Sequence, residues 1–190
     1  MSYLSCIFLR AGLIALPILL TACTKTIHYE EEVQLSTGAT IVLQRSVKGE
    51  RFGELGAGGG KLIEQRLEFA IDDKQYVWAD DIPPLAIDIY KDSLFIAAMP
   101  HTIGACLSHG SPSPPFVFYR HTDKGWAKIP KEQFPDSIRV NLLYFGDGYV
   151  GKVSERVTLA RKRKISEALK TNKMVQSLYR LKDSPDRCRS

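Results

Sequence analysis

Residues 85–99 read LAIDIYKDSLFIAAM. Leu85, Ile87 and Ile89 alternate with Ala86, Asp88 and Tyr90, the two-residue period of a strand that turns one face toward a core. Lys91-Asp92-Ser93 is polar and turn-forming, and Leu94 to Met99 returns as an apolar run. The unit is an antiparallel hairpin, and it sets the reading of the chain on either side.

Upstream, Val33 and Leu35 alternate with Gln34, Thr37-Gly38 makes a turn, and Thr40 to Gln44 returns as a second strand. Residues 46–61 contain six glycines and few apolar side chains, which predicts a flexible loop. Leu67, Phe69 and Ile71 alternate with polar or small residues, Asp72-Asp73-Lys74 turns the chain, and Gln75 to Trp78 pairs back. Residues 80–84, DDIPP, are a loop by composition.

Downstream, residues 100–115 hold four prolines and two glycines without periodicity; a loop of that length in a compact domain is usually functional, cross-linked or disordered. Phe116 to Tyr119 predicts a buried strand, Thr122 to Gly125 a turn, and Trp126 to Ile129 its partner. Ile138 to Phe145 and Tyr149 to Val157, around Gly146-Asp147-Gly148, add a last pair. The units are unevenly spaced and share no signature dipeptide, which excludes a propeller.

The C-terminal stretch changes character. Thr158 is a suitable N-cap, and Leu159 to roughly Leu181 has helical composition, with Ile165, Ala168, Leu169, Val175 and Tyr179 on one side to dock on the sheet. The expected fold class is α+β: an antiparallel β-meander of several hairpins with a C-terminal helical segment.

The 190 residues are 44% hydrophobic and 25% charged, too apolar for a disordered chain. Net charge is +5, unevenly spread: residues 151–190 carry 12 Lys and Arg against 4 Asp and Glu, whereas the first 150 carry 14 against 17. Basicity belongs to the C-terminal segment. Arg161, Lys162, Arg163 and Lys164 are consecutive, so they wrap around a helix instead of forming a stripe, and near its start they oppose its dipole.

At the other end, Ala11 to Leu20 is a ten-residue apolar run after Arg10, short of the ~20 residues a transmembrane helix needs. It ends in Leu20-Thr21-Ala22-Cys23, which resembles the lipobox of bacterial lipoproteins: an aliphatic residue, two small residues and the cysteine that receives lipid. The plainer alternative is conventional cleavage near Ala22, with Cys23 free or disulfide-bonded.

The resemblance implies that residues 1–22 are a signal peptide, that 23–32 are a lipidated N-terminus and tether, and that 33–190 form one domain. It also implies that Cys23 carries the membrane anchor. Thr24, where an inner-membrane protein of that family would have Asp, implies the outer membrane, facing the periplasm. In that oxidising compartment Cys6 leaves with the signal and Cys23 takes lipid, so Cys106 and Cys188 are expected to pair.

The candidate chemistry is thin. Gly60-Lys61 resembles the end of a phosphate-binding loop, but Leu55 and Leu62 occupy the positions of its first glycine and its hydroxyl, so no nucleotide cofactor is expected. His101, Cys106 and His109 are ligand types for zinc or copper, yet their spacing matches no closed module and Cys106 has a competing partner. Cys106 with a histidine base would be a nucleophile only as a free thiol. The pairs Asp72-Asp73 and Asp80-Asp81 read as solvated turn formers before they read as a catalytic dyad.

Trp78, Tyr90, Tyr119 and Trp126 sit at strand positions, where aromatics usually pack. The basic run fits an anionic envelope component or protein partner, and the implied compartment removes nucleic acid. A non-enzymatic binding or structural role is favoured, with an envelope hydrolase or redox or metal-binding protein using the 100–115 loop as the alternative.

Overall fold

The computed structural model describes residues 24–50, 61–143, 156–169 and 188. Among these residues, eight strands form two four-stranded antiparallel sheets, so the protein is β-rich. The first contains β1 (Thr24–Gln34), β2 (Thr40–Glu50), β3 (Lys61–Ile71) and β4 (Lys74–Asp80); the second contains β5 (Pro84–Tyr90), β6 (Ser93–Ala98), β7 (Val117–Thr122) and β8 (Gly125–Ile129), each sheet in sequence order. A short helix, α1 (Ile103–Ser108), joins β6 to β7, and α2 (Leu159–Leu169) follows the strands.

The expected meander is therefore present but split in two. The break falls between Asp80 and Pro84, where Pro83 and Pro84 lack the N–H groups that a continuing ladder needs. The two sheets then bury their apolar faces against each other. Val33, Leu43, Leu67, Phe69 and Trp78 of the first sheet share a core with Ile87, Leu94, Ile96, Val117 and Tyr119 of the second.

The hairpin turns are written in the sequence. Asp72 and Asp73 have φ of 48° and 62°, and Lys91 and Asp92 have 47° and 60°. Two successive left-handed residues match the twist of a tight hairpin, and Asp tolerates that region better than most residues.

The strands are longer than their apolar patterns. β1 begins at Thr24, which corrects the tether expected over 23–32. Its polar residues face solvent while Tyr29, Glu31 and Val33 point inward in a single period-two phase. β2 runs on to Glu50 and β3 starts at Lys61, with a bulge at Lys48/Gly49, so the first residues of the expected 46–61 loop are strand. Residues 51–60 lie outside the described residues, as do the signal segment with Cys23, residues 144–155, and the expected continuation of the helix to Leu181.

Two further expectations are corrected. The 100–115 loop contains α1, capped by the Thr102 hydroxyl, which accepts the Ala105 N–H at 3.1 Å. Residues 138–143 are not a strand. The N–H groups of Asn141 and Leu142 both donate to the Leu85 carbonyl, at 3.1 and 3.0 Å, so no ladder forms.

That segment instead covers the outer face of the second sheet. Phe134 and Ile138 pack on Leu85, Phe95, Met99 and Phe118, and β5 and β6 are buried on both faces as a result. At the far end Val157 makes a parallel bridge to Glu31 on the open edge of β1, and Ile165 of α2 packs beside it on Tyr29 and Val47.

Candidate functional site

Two polar clusters stand out, and they lie at different places in the sandwich. The first joins the end of β4 to α1. His109 ends α1, its backbone N–H donating to the Ala105 carbonyl, and its ring reaches back to β4. Nε2 lies 2.6 Å from Asp81 Oδ1 and 3.5 Å from Asp80 Oδ1, and the Lys128 ammonium lies 3.2 Å from Nδ1. Tyr119 donates its hydroxyl hydrogen to Asp80 Oδ2 at 2.7 Å. Burial pushes the Asp81 carboxyl up, but hydrogen bonding, chiefly from His109, outweighs it and holds the group below its usual value.

Donor atoms of Asp80, Asp81 and His109 all lie within 4.8 Å of one another, close enough for a cation. The proton inventory opposes one. An ammonium only donates, so Nδ1 accepts from Lys128 and Nε2 carries the hydrogen given to Asp81. Ligation through Nε2 would leave an Nδ1 hydrogen facing the Lys128 ammonium, whereas metal-bound imidazoles place an acceptor there. The cluster fits an Asp–His–Lys clasp that fastens α1 to the sheets.

Cys106 lies within α1 and is bonded to Cys188, with Cα atoms 5.4 Å apart and a sequence separation of 82. It is therefore neither a thiolate nor a ligand in this form. Of the three residues considered for a metal, His101 is exposed and outside the cluster, Cys106 is a disulfide, and only His109 meets carboxylates.

The second cluster lies on the inner face of the first sheet. Glu31 and Arg45 are fully buried and ion-paired, Oε2 to Nη1. Lys162 reaches in from α2 to Glu31 Oε1 at 2.5 Å and to the Asn141 carbonyl at 2.7 Å. The Leu143 N–H donates to Glu31 Oε1 at 2.7 Å, and Arg45 Nη1 donates to the Leu143 carbonyl at 2.9 Å. Burial holds the Lys162 ammonium below its ordinary value even though Glu31 pulls it up.

The basic run is thus divided. Lys162 belongs to the interior, Arg163 and Lys164 are exposed, and Arg161 is half-buried. Thr158 caps α2 as expected, its hydroxyl accepting the Arg161 N–H at 3.2 Å. Trp78 and Tyr119 are core residues at 1% and 3% exposure and line no surface, whereas Tyr90 is exposed and Trp126 donates to the Val77 carbonyl at 2.7 Å. Tyr90 borders an open cleft of about 840 Å³ with Lys91, Arg120, Lys131 and Phe134, where Glu132 and Asp136 set two carboxylates beside three cations.

Sequence reading passed over Glu31, Arg45 and Gln65. Their signal is the phase of the alternation: Glu31 falls between Tyr29 and Val33, Arg45 between Leu43 and Val47, and Gln65 two residues before Leu67, each in an inward position. A charge that falls in phase with the core marks a buried group in need of a partner. No protein-family model, no curated protein and no solved structure matches the chain.

Proposed function

We propose that the chain is a lipid-anchored protein of the bacterial cell envelope, held on the periplasmic side of the outer membrane by lipid on Cys23. In this reading its β-domain is a non-enzymatic binding or structural module of the assembly, inhibitor or immunity type. The observation that carries the reading is the Cys106–Cys188 bridge, which suits an oxidising compartment and agrees with the Leu20-Thr21-Ala22-Cys23 lipobox.

Because β1 starts at Thr24, an anchor on Cys23 leaves directly from an edge strand and keeps the sandwich close to the headgroups. The C-terminal basic stretch extends as a helical segment, giving an α+β domain. Arg161, Arg163 and Lys164 present its charge to an anionic envelope component, while Lys162 stays committed to Glu31. A hydrolase or redox role for the 100–115 loop would require the reduced protein, because the bridge occupies Cys106.

Fractionation tests the anchor. Wild-type protein is expected in the membrane fraction and Cys23→Ser in the soluble periplasm; a Cys23→Ser protein that stays with the membrane refutes lipid anchoring at this residue.

A further inference from the structure

The inner face of the first sheet carries more hydrogen-bonding capacity than it uses. Tyr29 Oη, Arg45 Nε and Nη2, and both amide atoms of Gln65 are buried with no partner among the described residues. Exposure is 5% for Tyr29, 1% for Arg45 and 0% for Gln65. Native interiors leave few such atoms, and a cluster of them calls for an explanation.

Register brings these side chains together. Tyr29 pairs with Arg45 across β1 and β2, and Arg45 pairs with Leu67 across β2 and β3. Paired residues share a face, and Gln65, two residues before Leu67, is the diagonal neighbour of Arg45 on it. The Arg45 guanidinium stands 5.2 Å from the centre of the Tyr29 ring. The Tyr29 hydroxyl lies within the fields of both Arg45 and Glu31, and burial raises its ionisation well above neutrality, so it remains a donor.

The unused atoms form a pattern. Nε and Nη2 are the two donors along one edge of the guanidinium, the fork that takes a carboxylate through two parallel bonds. Nη1 is already committed to Glu31 and the Leu143 carbonyl. Among the described residues, Glu31 is the one carboxylate ion-paired with both Arg45 and Lys162. Glu32 adds a weaker field at Lys162, its carboxylate also accepting the Leu159 N–H at the start of α2. A water molecule would satisfy some of these atoms but cannot offer the fork two parallel acceptor oxygens.

We propose that this face is a binding site for a small organic carboxylate. Its two oxygens lie on the Nε–Nη2 edge of Arg45, the Tyr29 hydroxyl donates to one of them and the Gln65 amide N–H to the other, which leaves Gln65 Oε1 to accept from the rest of a larger ligand. The site is independent of the anchor on Cys23.

Acetate is the probe. The mature chain, its bridge intact, is unfolded and refolded in sodium acetate or in sodium chloride at equal ionic strength and pH, which allows entry to an enclosed site. Its melting temperature is expected to stay level at low acetate and then climb with the logarithm of the acetate concentration, as mass action requires of a ligand that binds only the folded state. Tyr29→Phe and Gln65→Leu, which keep size and burial, are expected to move the acetate concentration at which the rise begins several-fold upward. Equal melting temperatures in the two salts overturn the proposal. So does an acetate response that both variants leave intact, which would mark a general salt effect.

Discussion

At the scale of single residues, Asp81 shows how a turn former acquires a structural duty. Its carboxylate accepts from His109, and that contact keeps its ionisation below the unfolded value of 3.8 despite the opposing effect of burial. A carboxyl depressed in the folded state contributes stability that is fully present above pH 3.8 and lost as pH falls through the lower folded value. The melting-temperature gap between wild type and Asp81→Asn should therefore be constant above that pH and close below it. A gap that ignores pH would show that the charge of Asp81 does not hold α1. Asp80, Asp81 and His109 were each visible in the sequence, but their meeting was not. The contact spans 28 residues and depends on where the β5–β6 hairpin delivers α1.

At the scale of elements, the open edge of β5 is closed by the Asn141 side chain and by the backbone N–H groups of Asn141 and Leu142 at Leu85, and not by another strand. Asn141 Oδ1 accepts the Ile87 N–H at 3.0 Å, and its Nδ2 donates to the carbonyls of Ile87 at 2.8 Å and Gln34 at 3.2 Å. The amide imitates a ladder partner for β5 and ties the second sheet to the end of β1. Asp88 makes a second tie, accepting the Ser36 N–H at 3.0 Å and the Ser36 hydroxyl at 3.0 Å. Asn141→Ala leaves buried groups of β5 unpaired and should cost about 1–3 kcal/mol, read as a lower urea midpoint with an unchanged slope. An unchanged midpoint would mean that water replaces the amide.

Sequence alternation made residues 138–145 resemble a strand, because Ile138, Val140 and Leu142 alternate with Arg139 and Asn141. Periodicity reports which side is buried and is silent on what the backbone bonds to. By contrast, the turns at Asp72-Asp73 and Lys91-Asp92 were legible, because turn chemistry is local.

For the whole molecule, the Cys106–Cys188 bridge fastens the C-terminal end of the chain to α1, which the His109 clasp fastens to β4 and β8. Closing a loop of 82 residues contributes about 4–5 kcal/mol at most in chain-entropy terms. Reduction, or Cys106→Ser, should lower stability by an amount up to that size, and alkylation without reductant should modify neither cysteine. Two modified thiols in the native protein would refute the bridge.

The sequence by itself determined the β-rich class and the hairpins around residues 72–73 and 91–92, since local propensity and turn chemistry dictate both. Only the tertiary structure decided that the meander divides at Pro83-Pro84 into two facing sheets. It also turned Lys162 inward to a buried Glu31 and gathered Tyr29, Arg45 and Gln65 on one inner face. These outcomes depend on which strands face each other, a long-range choice made when two apolar surfaces exclude water together, and no window of local sequence contains it.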